Sequence, residues 1–311
     1  MEITAAMVKQ LREMTGAGVM NCKRALVETD GDFDKAIEVL REKGEATAVK
    51  KAGRIAAEGT VLAVVKEDKE AVIVEVNSET DFVAKNEKFR TFVADVAEQI
   101  FASSADTVEA LSEEAWVKDS SKTVKEELVS QIAVIGENLS IRRFKKINTD
   151  GIIVAYVHGG GRIGVLVEAD TDVVNDEVKE ALKNIAMQVA ALNPKYTRRD
   201  EVSEEFIAHE KEILLAQIKN DPKEAAKPEK VIEGIINGRI NKEMKEICLL
   251  DQVYVKAEDG KQSVAQYVQE VAKATGSNLS IKGFVRFETG EGIEKKEENF
   301  AEEVAKQMGG N

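Results

Sequence analysis

Few side chains in this sequence could carry out covalent or metal chemistry. It contains only two cysteines and two histidines, which are Cys22, Cys248, His158 and His209. None of these lies at a spacing typical of a metal site. Glu79 and Asp81 could form a carboxylate pair, but no nucleophile, base or metal cluster can be assembled around them from the spacing. The sequence therefore predicts a protein that is not an enzyme, with two structural thiols that are free and buried.

Length and charge limit the function further. The chain has 311 residues and a formal net charge of −13, which predicts about two domains and argues against a global field that recruits nucleic acid. Its apolar runs are far shorter than the roughly 20 residues that a membrane helix needs. The first residues have neither a basic nor an apolar leader segment. We expect a cytoplasmic protein that contacts no membrane.

The first 54 residues predict three short helices in a small bundle. The second helix is expected to turn Val19 inward and to leave Met20 exposed, which is ordinary for a single apolar residue. The third is expected to end at Gly44. Because so small a bundle is marginal alone, we expect a docking module that is tethered through a linker at residues 50–54.

An internal repeat predicts the rest of the architecture. Two stretches about ninety residues apart have the pattern strand, turn, strand, amphipathic helix, and they begin near Glu58 and Gly151. The sequence Asn-Leu-Ser-Ile occurs at 138–141 and again at 278–281, so these segments are expected to begin equivalent strands. The fold class is therefore α+β, with a duplicated ββα core whose antiparallel sheets are covered by helices.

The second unit is expected to carry an insertion. Residues 201–248 show a wholly helical pattern that predicts an antiparallel hairpin, after which a strand at Val253–Lys256 should resume the core. The expected division is a helical domain at 1–54, a first core subdomain at 55–147, a second at 148–200 and 249–290, the hairpin at 201–248 and a helical module at 291–311.

The segment Thr80-Asp81-Phe82-Val83 permits two interpretations. Phe82 lies seven residues before Phe89, so a continuous helix would bury both rings on one face, and periodicity favours this. Alternatively, the aromatic ring protrudes as a wedge. The second unit repeats Thr-Asp at 171–172 without an aromatic residue after it. This difference is expected if a protruding aromatic residue was added to the first unit only.

Two further motifs also permit a functional and a structural interpretation. The glycine-rich stretch from His158 to Arg162 is followed by a strand pattern instead of a helix, which favours a hairpin turn over a phosphate-binding loop. The other motif is a basic run that favours a solvated strand face, although an RNA-binding patch stays open. It consists of Arg142, Arg143, Lys145 and Lys146.

Three motifs together resemble the bacterial translation elongation factor Ts family. They are Leu11 to Lys23, Thr80 to Asn86, and His158 to Val167, and the resemblance extends over essentially the whole chain. It implies a ubiquitin-associated-like three-helix domain, a duplicated core, an inserted helical hairpin and a C-terminal helix.

The resemblance also implies a function, which is guanine-nucleotide exchange on elongation factor Tu without a cofactor or metal of its own. Thr80 to Val83 would enter the partner near its magnesium and phosphate site, with Phe82 as the wedge and Asp81 on the magnesium side. Further partner contacts are implied for Val19, Met20, Lys23 and His158.

Two other functions stay open at this point, since the sequence alone excludes neither. One is an RNA-binding protein and the other is an adaptor without exchange activity. The hairpin at 201–248 could also form a homodimer, and no direct contact with nucleic acid is expected for an exchange factor.

Overall fold

The computed structural model describes residues 3–294, and it confirms an α+β fold with helices and antiparallel sheets. Most of the expected terminal module, residues 295–311, lies outside the described residues. The helices are α1 Ala5–Thr15, α2 Val19–Glu28, α3 Phe33–Lys51, α4 Asp81–Ala84, α5 Glu87–Ala102, α6 Val108–Ser112, α7 Val124–Ile135, α8 Asp176–Leu192, α9 Glu204–Asn220, α10 Pro222–Ala225, α11 Glu229–Ile247 and α12 Val264–Thr275. The strands are β1 Glu58–Lys66, β2 Glu70–Ser78, β3 Ala115–Trp116, β4 Asp119–Thr123, β5 Ser140–Asn148, β6 Ile152–His158, β7 Ile163–Asp170 and β8 Ser280–Glu288.

The first three helices pack around a small apolar core. Its buried members are Val8, Leu11, Cys22, Ala25, Leu26 and Ala36. Thr4 caps α1 by accepting a hydrogen bond from the Met7 amide at 3.3 Å. Gly16 ends this helix with φ of +67°, a left-handed conformation that glycine adopts without strain. Cys22 and the distant Cys248 are both buried and free, as predicted.

Two predictions for this bundle are wrong. Helix α3 does not end at Gly44 but continues to Lys51, so the expected linker at 50–54 begins as helix. Gly44 is buried because α7 crosses there, with a side chain of Ala133 only 3.6 Å from where a Cβ would stand. Val19 is 46% exposed instead of buried, since it is the first residue of α2 and lies outside the apolar core of the bundle.

Two three-stranded antiparallel sheets form the core, with strand orders β1-β2-β5 and β6-β7-β8. Their registers correspond closely. The β2–β5 ladder shifts between Glu75 and Val76, and the β7–β8 ladder shifts between Glu168 and Ala169. The segments that share Asn-Leu-Ser-Ile lead into β5 and β8, which confirms that they are equivalent strands.

The duplication is more extensive than the sequence pattern suggested. The buried residues of α5 and α8 match pairwise at a constant spacing of 89 positions, namely Phe89 with Val178, Phe92 with Ala181, Val93 with Leu182, Val96 with Ile185, Ala97 with Ala186 and Ile100 with Val189. Helices α7 and α12 also correspond, because each starts with a capping box and ends at a left-handed glycine, Gly136 or Gly276. Each unit is therefore ββααβ.

The two sheets pack against each other. Alternate residues of β2 point to opposite faces, so Val72 and Val74 lie under the helices of the first unit, whereas Ile73 lies between the sheets. Ile153 and Leu166 of the second sheet complete this inner layer. The core thus has four layers, with helices outside and two sheets inside.

The predicted hairpin is present, with α9 and α11 antiparallel and the short α10 at the tip. The predicted strand at Val253–Lys256 is wrong, because this segment forms only an isolated bridge. The Gln188 side chain instead forms hydrogen bonds with the backbone of this segment. It donates to the Val253 carbonyl at 3.0 Å and accepts from the Val255 amide at 2.8 Å. Within residues 3–294 no helix is long and apolar enough to cross a membrane. The domain boundaries given above stay predictions.

Candidate functional site

The Thr80–Val83 segment forms a separate short helix on the surface. The Thr80 side chain caps the start of α4, and this helix ends before its C-cap Lys85. The Asn86 side chain then caps the start of a new helix, α5. Two successive caps therefore interrupt the continuous helix that periodicity predicts. Phe82 is 82% exposed, whereas Phe89 is fully buried. The interpretation of Phe82 as a core residue is wrong.

Helix α4 is an insertion in the first unit. Glu79 and Asp172 are equivalent, because each carboxylate accepts the backbone amide of the asparagine in its Asn-Leu-Ser-Ile segment. From Glu79 the chain takes seven residues to the helix cap Asn86, but from Asp172 only three to the cap Asn175. The four additional residues match the four of α4. The two Thr-Asp pairs therefore do not occupy equivalent positions, because Asp172 corresponds to Glu79, which lies two residues before Asp81.

The base of α4 is held by a carboxylate from elsewhere in the sequence. Glu137 Oε2 accepts hydrogen bonds from the amides of Glu79 and Thr80, both at 3.0 Å. Its Oε1 accepts from the Thr80 hydroxyl at 2.6 Å. No motif in the sequence pointed to Glu137, because its partners lie nearly sixty positions away.

Asp81 is exposed and ionised. Its carboxylate pairs with Lys85 at 2.6 Å, and the hydrogen bond from this ammonium group holds the pKa of Asp81 below its ordinary value. Glu79 is directed to the Asn138 amide instead. The two acids therefore do not form the carboxylate pair considered from the sequence.

The other predicted contact residues lie on separate elements. Met20 is 63% exposed on α2, and Lys23 is also exposed on that helix. His158 is exposed at the end of β6, where its Nδ1 lies 2.9 Å from the Tyr156 hydroxyl. The structure thus presents the predicted residues on α2, on α4 and at the end of β6.

The turn after His158 connects two paired strands, so the predicted hairpin is confirmed. Its glycines have a structural role as well. The Gly161 carbonyl accepts hydrogen bonds from the Val61 amide at 2.7 Å and from the Thr289 hydroxyl at 3.0 Å. Gly161 has φ of +109°, and a Cβ there would lie 1.8 Å from Thr60 Oγ1. The turn therefore docks the second sheet onto β1.

Much of the basic run is occupied by internal ion pairs. Arg142 and Arg143 contact the fully buried Glu75 at 3.0 and 2.6 Å. Lys146 donates to the Phe101 carbonyl at 2.6 Å. These three cations have internal partners, so they do not form the solvated strand face that the sequence favoured. The sequence pattern missed Glu75, since it reads as one polar residue within an apolar strand.

Comparison with known proteins identifies the class. Residues 79–291 match the family described as Elongation factor TS. The chain is 52% identical over 309 residues to "Elongation factor Ts" of Clostridium botulinum (strain Eklund 17B / Type B), covering 99% of both chains. It is also 52% identical over 307 residues to "Elongation factor Ts" of Clostridioides difficile (strain 630), covering 98% of this chain and 99% of the relative. These matches define a translation elongation factor. The chain belongs to the elongation factor Ts family.

Proposed function

We propose that this protein is a guanine-nucleotide exchange factor. It binds elongation factor Tu in the GDP form, disturbs the magnesium and phosphate site, and promotes GDP release so that GTP can be loaded. The observation that carries this proposal is Phe82, a large apolar ring that is 82% exposed on a four-residue insertion of the first unit. Exposing such a ring to water is unfavourable unless a partner buries it.

Exchange of this kind requires binding energy and no covalent chemistry. The factor must bind the nucleotide-free partner more tightly than the loaded one, and a shift from 1:99 to 99:1 needs about 5.5 kcal/mol of differential affinity. Linkage is reciprocal, so GDP or GTP weakens the complex by the same factor. The poverty of the chain in cysteine and histidine agrees with this mechanism, and no cofactor is needed.

The roles of the segment follow from its exposed groups. Phe82 supplies apolar area that a cleft between partner helices can bury, and Asp81 brings a negative charge toward the magnesium side. Asp81 is paired with Lys85, so binding near the magnesium would replace this ion pair, at little cost because water already screens an exposed pair.

The remaining contacts and the cellular setting belong to the same proposal. Met20, Val19 and Lys23 on α2 would pack on the GTPase domain of the partner, and the His158 turn would contact another of its domains. The protein acts in the cytoplasm, without contact with a membrane or nucleic acid. A homodimer through α9 and α11 stays a prediction. Ion pairing of Arg142 and Arg143 with Glu75 disfavours the RNA alternative.

Release of labelled GDP from elongation factor Tu tests the proposal. Wild-type protein should accelerate release, and Phe82→Ala should slow the accelerated rate about 30-fold or more, since burial of a phenylalanine ring contributes roughly 2–3 kcal/mol. Val174→Ala is the matched control, because Val174 is 52% exposed in the corresponding connection of the second unit. Release that is not accelerated by the wild type favours the adaptor alternative, and normal release with Phe82→Ala refutes the wedge.

A further inference from the structure

The short helix α4 has only a limited apolar attachment, because Val83 is partly buried against the core of the first unit while Phe82 faces solvent. None of its residues is fully buried, and a helix of four residues has no independent stability. The base of the segment supplies a second, polar attachment. A single carboxylate, that of Glu137, accepts three hydrogen bonds from the consecutive residues Glu79 and Thr80, at 3.0, 3.0 and 2.6 Å.

The Thr80 hydroxyl connects this carboxylate to the helix. Because its hydrogen points to Glu137 Oε1, its lone pairs are free to accept from the Val83 amide, which lies 3.3 Å away. The carboxylate thereby orients the cap of α4 and with it the first turn that carries Phe82. Hydrogen bonds to an ionised acceptor are stronger than neutral ones.

A second set of contacts extends the base toward the N-terminal helices. Glu79 Oε1 accepts the Asn138 amide at 2.6 Å, and the Asn138 side chain donates to the Arg54 carbonyl at 2.8 Å. Arg54 lies three residues after Lys51, the last residue of α3. The base of α4 is therefore tied both to the entry of β5 and to the connection from the helical domain.

The second unit provides an internal comparison. Glu137 occupies the variable position of Gly-Glu-Asn-Leu-Ser-Ile, and the equivalent stretch is Gly-Ser-Asn-Leu-Ser-Ile with Ser277. Ser277 makes a local hydrogen bond with Thr275 at 2.7 Å. The contact from Asn278 to Asp172 is retained there. The unit that has the insertion thus has the long carboxylate, and the unit without it has a short hydroxyl.

We propose that Glu137 is a positioning residue for nucleotide exchange, which fixes the orientation of the Phe82 segment before the partner binds. The inference rests on the proposed function. Preorganisation reduces the ordering cost of binding, so losing the carboxylate should weaken exchange even though Glu137 itself need not contact the partner.

The first test measures the segment without the partner. Glu137→Ser introduces the residue that the second unit has at the equivalent position, so we expect the variant to fold. Hydrogen exchange at the Glu79 and Thr80 amides should become at least about tenfold faster, as expected for the loss of a hydrogen bond to a charged acceptor. Asp172→Asn is the control, and it should affect the Asn278 amide but neither of these two. Unchanged protection of Glu79 and Thr80 overturns the inference.

The second test measures GDP release from elongation factor Tu. Glu137→Ser should slow the accelerated release about tenfold, while Asp172→Asn leaves it unchanged. In a Phe82→Ala background the same substitution should have no further effect, because Glu137 acts through that ring. Additive losses, or normal release with Glu137→Ser, overturn the positioning role. If the wild-type protein does not accelerate GDP release, the proposed function fails, and if Phe82→Ala alone releases GDP normally, the wedge role of Phe82 fails. In either case the hydrogen-exchange test still decides whether Glu137 holds the segment.

Discussion

Glu75 is the residue whose loss should affect the stability of the core most clearly. It lies on β2 where the register of the β2–β5 ladder shifts, and its carboxylate has no solvent exposure. Oε1 accepts from the Gly290 amide at 2.7 Å, from Arg142 at 3.0 Å and from Asn77 at 3.1 Å, and Oε2 accepts from Arg143 at 2.6 Å. One buried carboxylate thus joins β2, β5 and the chain that follows β8.

Glu75→Gln keeps the shape but removes the charge. The amide nitrogen of glutamine cannot accept a hydrogen bond, so it would face either the guanidinium of Arg143 or the donors at Oε1. Removing one partner of a buried ion pair costs about 3–5 kcal/mol. The Arg142 and Arg143 side chains are 26% and 30% exposed, so water partly solvates their guanidinium groups when the carboxylate is removed. We therefore expect the free energy of unfolding to fall by about 2–4 kcal/mol.

The second unit contains a matched control in Glu168. This residue lies on β7 at the equivalent register shift of the β7–β8 ladder, but its side chain is 20% exposed and its cationic partner is Lys282, at 2.8 Å. The Thr149 hydroxyl also donates to it, at 2.6 Å. A single, largely exposed lysine contributes less than two arginines, so Glu168→Gln should cost only about 0.5–1.5 kcal/mol.

The effect of Glu75 should also depend on pH. Burial alone would raise the pKa of Glu75, but hydrogen bonds from Gly290, Asn77 and the two arginines outweigh it and hold the pKa below its ordinary value. A lowered pKa means that the carboxylate stabilises the fold above the unfolded pKa of about 4.3. This contribution is lost as the pH falls through the folded pKa, so wild type and variant should converge in acid.

Urea unfolding at pH 7 and near pH 3.5 measures these differences. The fluorescence of Trp116, the single tryptophan, reports on the first unit because its side chain is buried there. Circular dichroism reports on the whole chain, and agreement of the two signals justifies a two-state treatment. The reasoning is refuted if Glu75→Gln lies within about 0.5 kcal/mol of the wild type, if Glu168→Gln costs as much, or if the loss persists undiminished in acid.

Two further predictions concern the sheet contact and the helical domain. Gly161→Ala should lower the free energy of unfolding by about 2–4 kcal/mol, since its Cβ would overlap Thr60 at a strained φ of +109°, whereas Gly160→Ala should cost only about 1–2 kcal/mol because its Cβ would have space. Thermal unfolding distinguishes them, and equal losses would contradict the docking role of Gly161. Met20→Ala should leave thermal stability unchanged, because this side chain is 63% exposed, but should weaken binding to elongation factor Tu about tenfold by calorimetry. Unchanged affinity would remove Met20 from the proposed interface.

Local patterns were sufficient for most elements. The helical periodicity after the second strand of the first unit predicted an amphipathic helix, which is α5, and the Asn-Leu-Ser-Ile repeats predicted equivalent strands. These features depend on periodicity and on chain-local turns and caps, so the order of residues determines them directly. The glycine-rich hairpin was predictable for the same reason.

Contacts between distant segments were not predictable in this way. Gly44 looks like a helix end until α7 crosses it, and the apolar segment at Val253 looks like a strand until the Gln188 side chain takes its backbone groups. In each case a partner far along the chain competes with the local preference and prevails.

The candidate site shows the same division most clearly. The sequence by itself determined that Thr80 to Val83 is an unusual segment, but its spacing to Phe89 pointed the ring into the core. Only the tertiary structure decided that Phe82 faces solvent, because Asn86 starts a new helix and Glu137 holds the base of α4 from across the fold. Hydrophobic periodicity cannot show such a contact, since a carboxylate and the amides it binds need no proximity in sequence.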